Sequence, residues 1–255
     1  MSQFLPISRA DMEARGWYYC DFLLVTGDAY IDHPSFGTAI ISRVLEDAGF
    51  RVAILSQPDF RDEHDFAAMG RPRYAVLINA GNIDSMVAHY TAAKKRRHDD
   101  AYTPGGVGGK RPDRAVTVYS MLARRAFPDT PIYIGGLEAS LRRFAHYDYW
   151  SDQVMPSVLS SSGADALMYG MSERTVVELA RNLKAGKHGT DAVRGMAWPT
   201  LPMTPRISPS PLSPARPTRK CWTARRPMRA RSKCSTTRPT TCAARRSSKR
   251  TASAS

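Results

Sequence analysis

Apolar residues in the first 190 positions fall into short blocks separated by stretches of helical period. Asp21 to Thr26, Arg51 to Leu55, Tyr74 to Asn79, Ile132 to Ile134 and Ala166 to Tyr169 read as strands. Their near-continuous apolar character is that of strands buried on both faces of a parallel sheet. Between the first two, Phe36, Ile40, Val44 and Ile41, Leu45, Ala48 recur at helical spacing, which predicts a helix capped by Ser35 and closed by Gly49. A weaker helix is predicted over Phe60 to Met69. Another begins at an Asp113 cap, carries Val116, Tyr119, Leu122, Ala123 and Ala126, and stops at Pro128; a last one runs from a Ser172 cap to Gly186. The rhythm is that of an α/β, doubly wound, Rossmann-like parallel sheet. Residues 94 to 113 interrupt it with Lys94-Lys95-Arg96-Arg97, Asp99-Asp100 and the glycine-rich Pro104 to Gly109, a long loop of the kind that is functional or mobile.

Periodicity ends near Pro199, and the charge changes with it. The formal net charge is +14, yet residues 1 to 191 hold 22 Lys+Arg against 23 Asp+Glu, while residues 192 to 255 hold 15 Lys+Arg and no acid. This divides the chain into a folded domain, 1–195, and a basic tail, 196–255, whose composition predicts disorder. The tail reads either as a nucleic-acid-binding arm or as an out-of-frame stretch. The second is preferred, because scattered Cys221, Trp222, Cys234 and Cys242 are foreign to natural basic tails. The longest apolar runs fall far short of the ~20 residues of a membrane helix. The first twenty residues mix Arg9, Asp11, Glu13 and Arg15 with apolar ones, so a cytoplasmic protein without membrane contact is expected. The irregular spacing of Cys20 and the three tail cysteines predicts free thiols and no metal site.

Ligands of a doubly wound sheet bind at the carboxyl ends of its strands. Three turns qualify: Thr26 to Gly37, Asn79 to Met86 and Gly135 to Arg143. They nominate Gly27, Asp28, Asp32, His33, Ser35, Gly37, Gly81, Asn82, Asp84, Gly135, Gly136 and Glu138 as a ligand-binding rim. Glycines there would admit a ligand to the backbone, and the carboxylates would accept hydrogen bonds. The competing reading is ordinary turn chemistry, with carboxylates that only cap helices. A lone His33 is more often a turn residue than a ligand, and Lys94 to Arg97 more often a solvated helix face than a phosphate clamp. The aromatic stretch His146-Tyr147-Asp148-Tyr149-Trp150 packs on a neighbouring domain or lines a pocket.

Several strings carry more. Val25-Thr26-Gly27-Asp28-Ala29-Tyr30-Ile31-Asp32-His33-Pro34-Ser35-Phe36-Gly37, Ala80 to Met86, Arg97 to Pro104, Gly109 to Ala115, Gly135 to Arg143 and His146 to Asp152 resemble, in colinear order, the amino-terminal domain of YgiQ-type radical-SAM proteins. The resemblance implies a domain similar to cobalamin-binding Rossmann domains beside a radical-SAM barrel, the partner expected at the His146–Trp150 segment. That barrel binds [4Fe-4S] through Cys-x-x-x-Cys-x-x-Cys and cleaves S-adenosylmethionine. The sequence lacks that motif, so the resemblance implies a ligand- or cofactor-binding fragment, inactive alone, acting on an unknown substrate. It also lacks the Asp-x-His-x-x-Gly of histidine-ligated cobalamin domains, since Asp32 directly precedes His33. The alternative function is a non-enzymatic nucleic-acid-binding protein acting through the Arg-rich tail. Anaerobic reconstitution with iron and sulfide is expected to yield neither the visible absorption of a [4Fe-4S] cluster nor 5′-deoxyadenosine; formation of both would contradict the cysteine argument.

Overall fold

The computed structural model describes residues 4–199. Strands β1 (Phe22–Thr26), β2 (Val52–Ser56), β3 (Ala75–Asn79), β4 (Ile132–Ile134) and β7 (Ala166–Met168) lie within a residue or two of their predicted bounds. They form a parallel sheet in the order β2-β1-β3-β4-β7, extended by the short antiparallel β8 (Met196–Ala197). Phe22 of β1 stands between Val52 and Ala75 in register. The chain order reverses between β1 and β3, which makes their carboxyl ends the switch point of the sheet.

Alternation along each strand sends side chains to two cores. Leu23, Val25, Val76, Ile78, Ile132 and Ile134 face one, together with Met12, Phe66 and Tyr119 of helices α1 (Arg9–Ala14), α3 (His64–Met69) and α5 (Ala115–Ala126). Phe22, Leu24, Leu77 and Tyr133 face the other, under Leu45 of α2 (Gly37–Asp47) and Val176 and Leu179 of α8 (Glu173–Lys184). The short helices α4 (Ser85–His89), α6 (Gly136–Leu141) and α7 (Val158–Ser162) and the hairpin β5 (His146–Asp148)/β6 (Gln153–Met155) were not legible in the periodicity, being three to six residues long.

Two predicted caps are corrected. Phe36 occupies the cap position of α2 with no side-chain bond, because Ser35 is held in the preceding turn: its N–H donates to His33 Nδ1 (3.1 Å) and its carbonyl accepts from Asn82 Nδ2 (3.2 Å). Asp113 does not cap α5; His89 Nδ1 (2.6 Å) and Tyr90 Oη (2.8 Å) occupy its carboxylate, and left-handed Arg114 takes the cap position. Ser172 does precede α8, but its hydroxyl turns back to the Gly170 carbonyl. Lys94 to Arg97 do not form a helix either. They lie on an irregular hairpin closed by a Tyr90–Arg96 bridge.

One buried cation ties the long loop to the switch point. Arg111, whose side chain is 0% exposed, donates through Nε and Nη2 to Asp100 (both 2.9 Å) and through Nη1 to the Ala80 carbonyl (2.9 Å), with Asp28 Oδ1 also 2.9 Å from Nη1. Asp28 Oδ2 accepts the Asn82 N–H (2.7 Å). Burial pushes the Asp28 carboxyl up, and the Asn82 N–H and Arg111 only partly oppose it. The turns after β1 and β3 are thereby pressed together so closely that a Cβ on Gly27 would stand 2.4 Å from the Ala80 oxygen, and one on Gly81 (φ +110°) 2.0 Å from Asp28.

Gly27→Ala is therefore expected to destabilise the domain by roughly 1–3 kcal/mol in urea melts, since backbone on both sides must shift. Arg111→Met should cost about 3–5 kcal/mol at neutral pH by leaving Asp28 and Asp100 buried without a counter-ion. The Asp28 carboxyl, already raised by burial, then rises further above its unfolded value in the folded variant, so the variant gains stability as pH falls. Its deficit should narrow as pH is lowered from 7 toward about 4. A deficit that stays constant or grows would show that the guanidinium does not neutralise these carboxylates.

Candidate functional site

The twelve nominated residues gather at the carboxyl rim, as the topology requires, but on two sides of the sheet with different chemistry. On the α2/α8 side lies a cavity of about 180 Å³. Leu24, Leu77, Ile78, Tyr133 and Met168 contribute apolar surface from the strands, Ile40 and Ile41 from α2, and Ser172 and Glu173 from the start of α8. Gly37, Gly81, Gly135 and Gly136 of the nominated set line it, joined by Gly170.

The polar lining residues Thr38 and Asn79 are fixed by each other and by the buried Thr26. Thr26 Oγ1 donates to Asn79 Oδ1 (2.9 Å), Thr38 Oγ1 to Thr26 Oγ1 (3.2 Å), and Asn79 Nδ2 to Thr38 Oγ1 (3.4 Å). Asn79 Oδ1 also takes the Gly81 N–H (2.8 Å). Asn82 joins the turn before α2, with its Oδ1 accepting from Gly37 N–H (3.3 Å) and its Nδ2 donating to the Ser35 carbonyl. Gly136 has φ +80°, and a Cβ there would stand 3.2 Å from Asn79 Cβ. Burial pushes the Tyr133 hydroxyl up to about 12, with Asp165 adding to the effect.

On the opposite side the nominated carboxylates turn inward. Glu138, 2% exposed, accepts the Ser85 N–H (2.9 Å) and the Val116 N–H (3.1 Å), and so ties the first turns of α4 and α5 to α6. Burial pushes its carboxyl up, and Asp84 adds to this. Asp84 caps α4 through the N–H groups of Met86 and Val87 and pairs with Arg142. Asp28 belongs to the Arg111 cluster. Asp32 forms a two-pronged pair with Arg43, whose guanidinium holds its carboxyl below the usual range. His33 is exposed and accepts the Ser35 N–H. Neither Asp32 nor His33 lines the cavity.

Thr26, Thr38, Asn79, Tyr133, Met168 and Gly170 were not nominated. Asn79 was readable, as an amide ending an otherwise apolar strand; the others carry no local signal. The aromatic segment is largely engaged within the chain: the Tyr149 hydroxyl donates to the Ala92 carbonyl (2.7 Å), and the Trp150 ring lies 5.3 Å from Tyr90. Among the described residues no cluster of His, Cys, Asp and Glu could hold a metal, and no helix is long and apolar enough to cross a membrane. Cys20 is buried, its thiol pushed up to about 12 by desolvation. The tail cysteines and the Arg-rich stretch from residue 200 lie outside the described residues.

The radical SAM N-terminal family model matches residues 4–247. A UPF0313 protein of Rhodopseudomonas palustris is 58% identical over 196 residues, which is 76% of this chain and 29% of that protein. A UPF0313 protein of Clostridium botulinum strain 657 is 58% identical over 183 residues, 72% of this chain and 29% of its own length. The chain thus spans under a third of the length of these relatives. Among solved structures, the radical S-adenosylmethionine methyltransferase TsrM from Kitasatospora setae, with cobalamin and a [4Fe-4S] cluster bound, aligns at TM-score 0.46 and 20% identity, over 71% of this chain and 27% of that one. None of these matches supports the nucleic-acid reading of the tail. With most of its length matched by one family model, the chain belongs to the radical SAM N-terminal family, the YgiQ-type group that its rim motifs resemble.

Proposed function

We infer that this domain receives a cofactor or substrate whose flat, apolar portion enters the cavity between α2 and α8. The single observation that carries this reading is the cavity's lining: glycines at four strand-to-helix turns, apolar strand residues behind them, and the polar Thr38 and Asn79, hydrogen-bonded to each other and each to the buried Thr26. Such a mostly apolar concavity with a few placed polar groups is the usual form of a small-molecule site. Gly37, Gly81, Gly135 and Gly136 are the nominated residues that serve it. Asp28, Asp84 and Glu138 serve the fold, because their oxygens are already engaged.

Cobalamin, which the family resemblance brings into view, fits in one respect and not in another. The nucleotide base of its tail is flat and apolar, and the glycine-lined cavity suits it. Asn82 and the first turns of α2 and α8, neither of which has a side-chain cap, offer N–H donors and an amide to the adjoining phosphate. No histidine lines the cavity, so a histidine ligand to cobalt does not fit. Bound cobalamin would supply a cobalt centre for group transfer, and these residues would hold and orient it. The [4Fe-4S] cluster and S-adenosylmethionine belong, on this reading, to the radical-SAM barrel of the longer relatives, since Cys20, the one described cysteine, is buried.

Titration of the full chain with aquacobalamin, followed by difference absorbance and by melting temperature, tests the reading. Binding and a rise in melting temperature are expected. Gly37 has open space at its Cβ position and no positive φ, so Gly37→Leu should fold normally yet weaken binding about tenfold or more by crowding the mouth. Undetectable cobalamin binding would remove the cofactor assignment. Equal affinity in wild type and Gly37→Leu would remove the cavity.

A further inference from the structure

Between α4 and α5 the chain doubles back into a segment that packs on the domain but takes no part in the cavity. Tyr90 bridges Arg96 and Asp99 bridges Val107 in antiparallel fashion. At its tip the Thr91 N–H donates to the Lys95 carbonyl (2.8 Å) and the Lys94 N–H to the Thr91 carbonyl (2.9 Å), while the Arg97 N–H reaches the His89 carbonyl (2.7 Å). Its base is locked by the buried Arg111–Asp100 pair. The segment is therefore an ordered element.

Its exposed side chains are unusual for this domain. Residues 4–199 hold 23 Lys+Arg and 23 Asp+Glu, yet Lys94, Lys95, Arg96, Arg97 and Lys110 all stand exposed on this one segment. Among the described residues Lys95, Arg97 and Lys110 enter no ion pair, whereas Arg96 interacts electrostatically with Asp113. In extended chain, side chains alternate between faces, so Lys95 and Arg97 share one face and Arg96 takes the other, where Nη2 lies 3.9 Å from the position of a Gly109 Cβ. Beside the cations are aromatic faces. Lys94 Nζ sits 4.7 Å from the centre of the Tyr149 ring and donates to the Trp150 carbonyl (3.4 Å). Tyr149 and Tyr147 are exposed, at 48% and 60%.

We propose that this segment is a binding surface for single-stranded nucleic acid, with Lys95 and Arg97 on the phosphates and Tyr149 and Tyr147 stacking against bases. Unpaired cations on a preorganised hairpin release counter-ions on meeting a polyanion without first breaking ion pairs. The adjoining tyrosines select the partner: bases have faces to stack on them, whereas an acidic peptide would use the cations alone. None of these residues lines the cavity, so failure of this proposal would leave the cavity assignment untouched.

The test uses the full chain and a fluorescent oligouridylate of about twenty nucleotides, long enough to cover such a surface. Affinity is measured from low to moderate salt, with polyglutamate of similar length as competitor. Because 14 Lys+Arg lie beyond residue 199, a variant with the tail arginines changed to Ala is measured in parallel. The double variant Lys95→Ala/Arg97→Ala should lower affinity about tenfold and reduce the salt slope by about 1.4, in both tail backgrounds. Tyr149→Ala should lower affinity about tenfold with the salt slope unchanged. Circular dichroism melts confirm that each variant is folded, and Lys95→Gln/Arg97→Gln repeats the measurement should the Ala pair melt early. Absence of binding, binding lost only with the tail arginines, or displacement by polyglutamate at equal charge concentration would each overturn the proposal.

Discussion

A guanidinium with no exposed surface organises this domain. Arg111 comes from the end of a long loop, and its three nitrogens meet a carboxylate of that same loop, a carboxylate after β1 and a carbonyl after β3. Burying one cation among two anions is costly unless every group finds a partner. Here the cost is offset by geometry that only this arrangement supplies. It fixes the separation of the β1 and β3 turns, and that separation explains Gly27 and Gly81. Each faces an oxygen, of Ala80 or of Asp28, too near for any side chain. The same knot holds the base of the 90–110 segment, so one interaction orders both the switch point of the sheet and the element beside it.

The rim that results is divided by the sheet into two chemical halves. On the α4/α5 half, backbone donors at the helix starts meet acceptors from elsewhere in the fold. Glu138 takes those of Ser85 and Val116, Ser85 Oγ takes that of Ala115, and Asp84 takes those of Met86 and Val87. A carboxylate that accepts two backbone N–H bonds in a buried place is a structural clamp, whatever its pKa. On the α2/α8 half there are no carboxylate clamps. The helices start uncapped beside a cavity walled by glycine and apolar side chains.

Much of this was legible in the sequence because parallel strands buried on both faces leave short apolar blocks bounded by turn residues. β1 to β4 and β7 were therefore placed within a residue or two, and Gly49 and Gly186 end their helices in the left-handed conformation that glycine favours. The caps were less legible. A Ser or Asp before a helix is a good local candidate, but Ser35 and Asp113 are each claimed by a partner distant in sequence or held by the turn before it, namely Asn82 for the first and His89 with Tyr90 for the second. Proximity of three turns put the nominated residues at the carboxyl ends of the strands, where the structure has them. It could not tell which carboxylates face a ligand and which face the core, because that depends on Arg111, Ser85 and Val116, none of which is near its carboxylate partner in sequence.

The difference between the two halves bears on what the cavity can hold. A helix start leaves several N–H groups without an intrahelical partner, and these are met by side chains, water or a ligand. Around α4 and α5 the chain meets them itself, at the expense of burying Glu138 and Asp84. Around α2 and α8 it does so less: Asn82 Oδ1 takes the Gly37 N–H, and neither Phe36 nor Ser172 bonds its helix start through a side chain. Donors left open next to an apolar hollow favour a ligand with an anionic group at the rim and a flat uncharged group inside it, since the open N–H groups and the helix dipoles both attract negative charge. A carboxylate clamp at that position would cancel the attraction. On this view the carboxylate clamps at the starts of α4 and α5, and their lack at the starts of α2 and α8, where Glu173 is the acid that lines the cavity, divide the rim into two electrostatic parts.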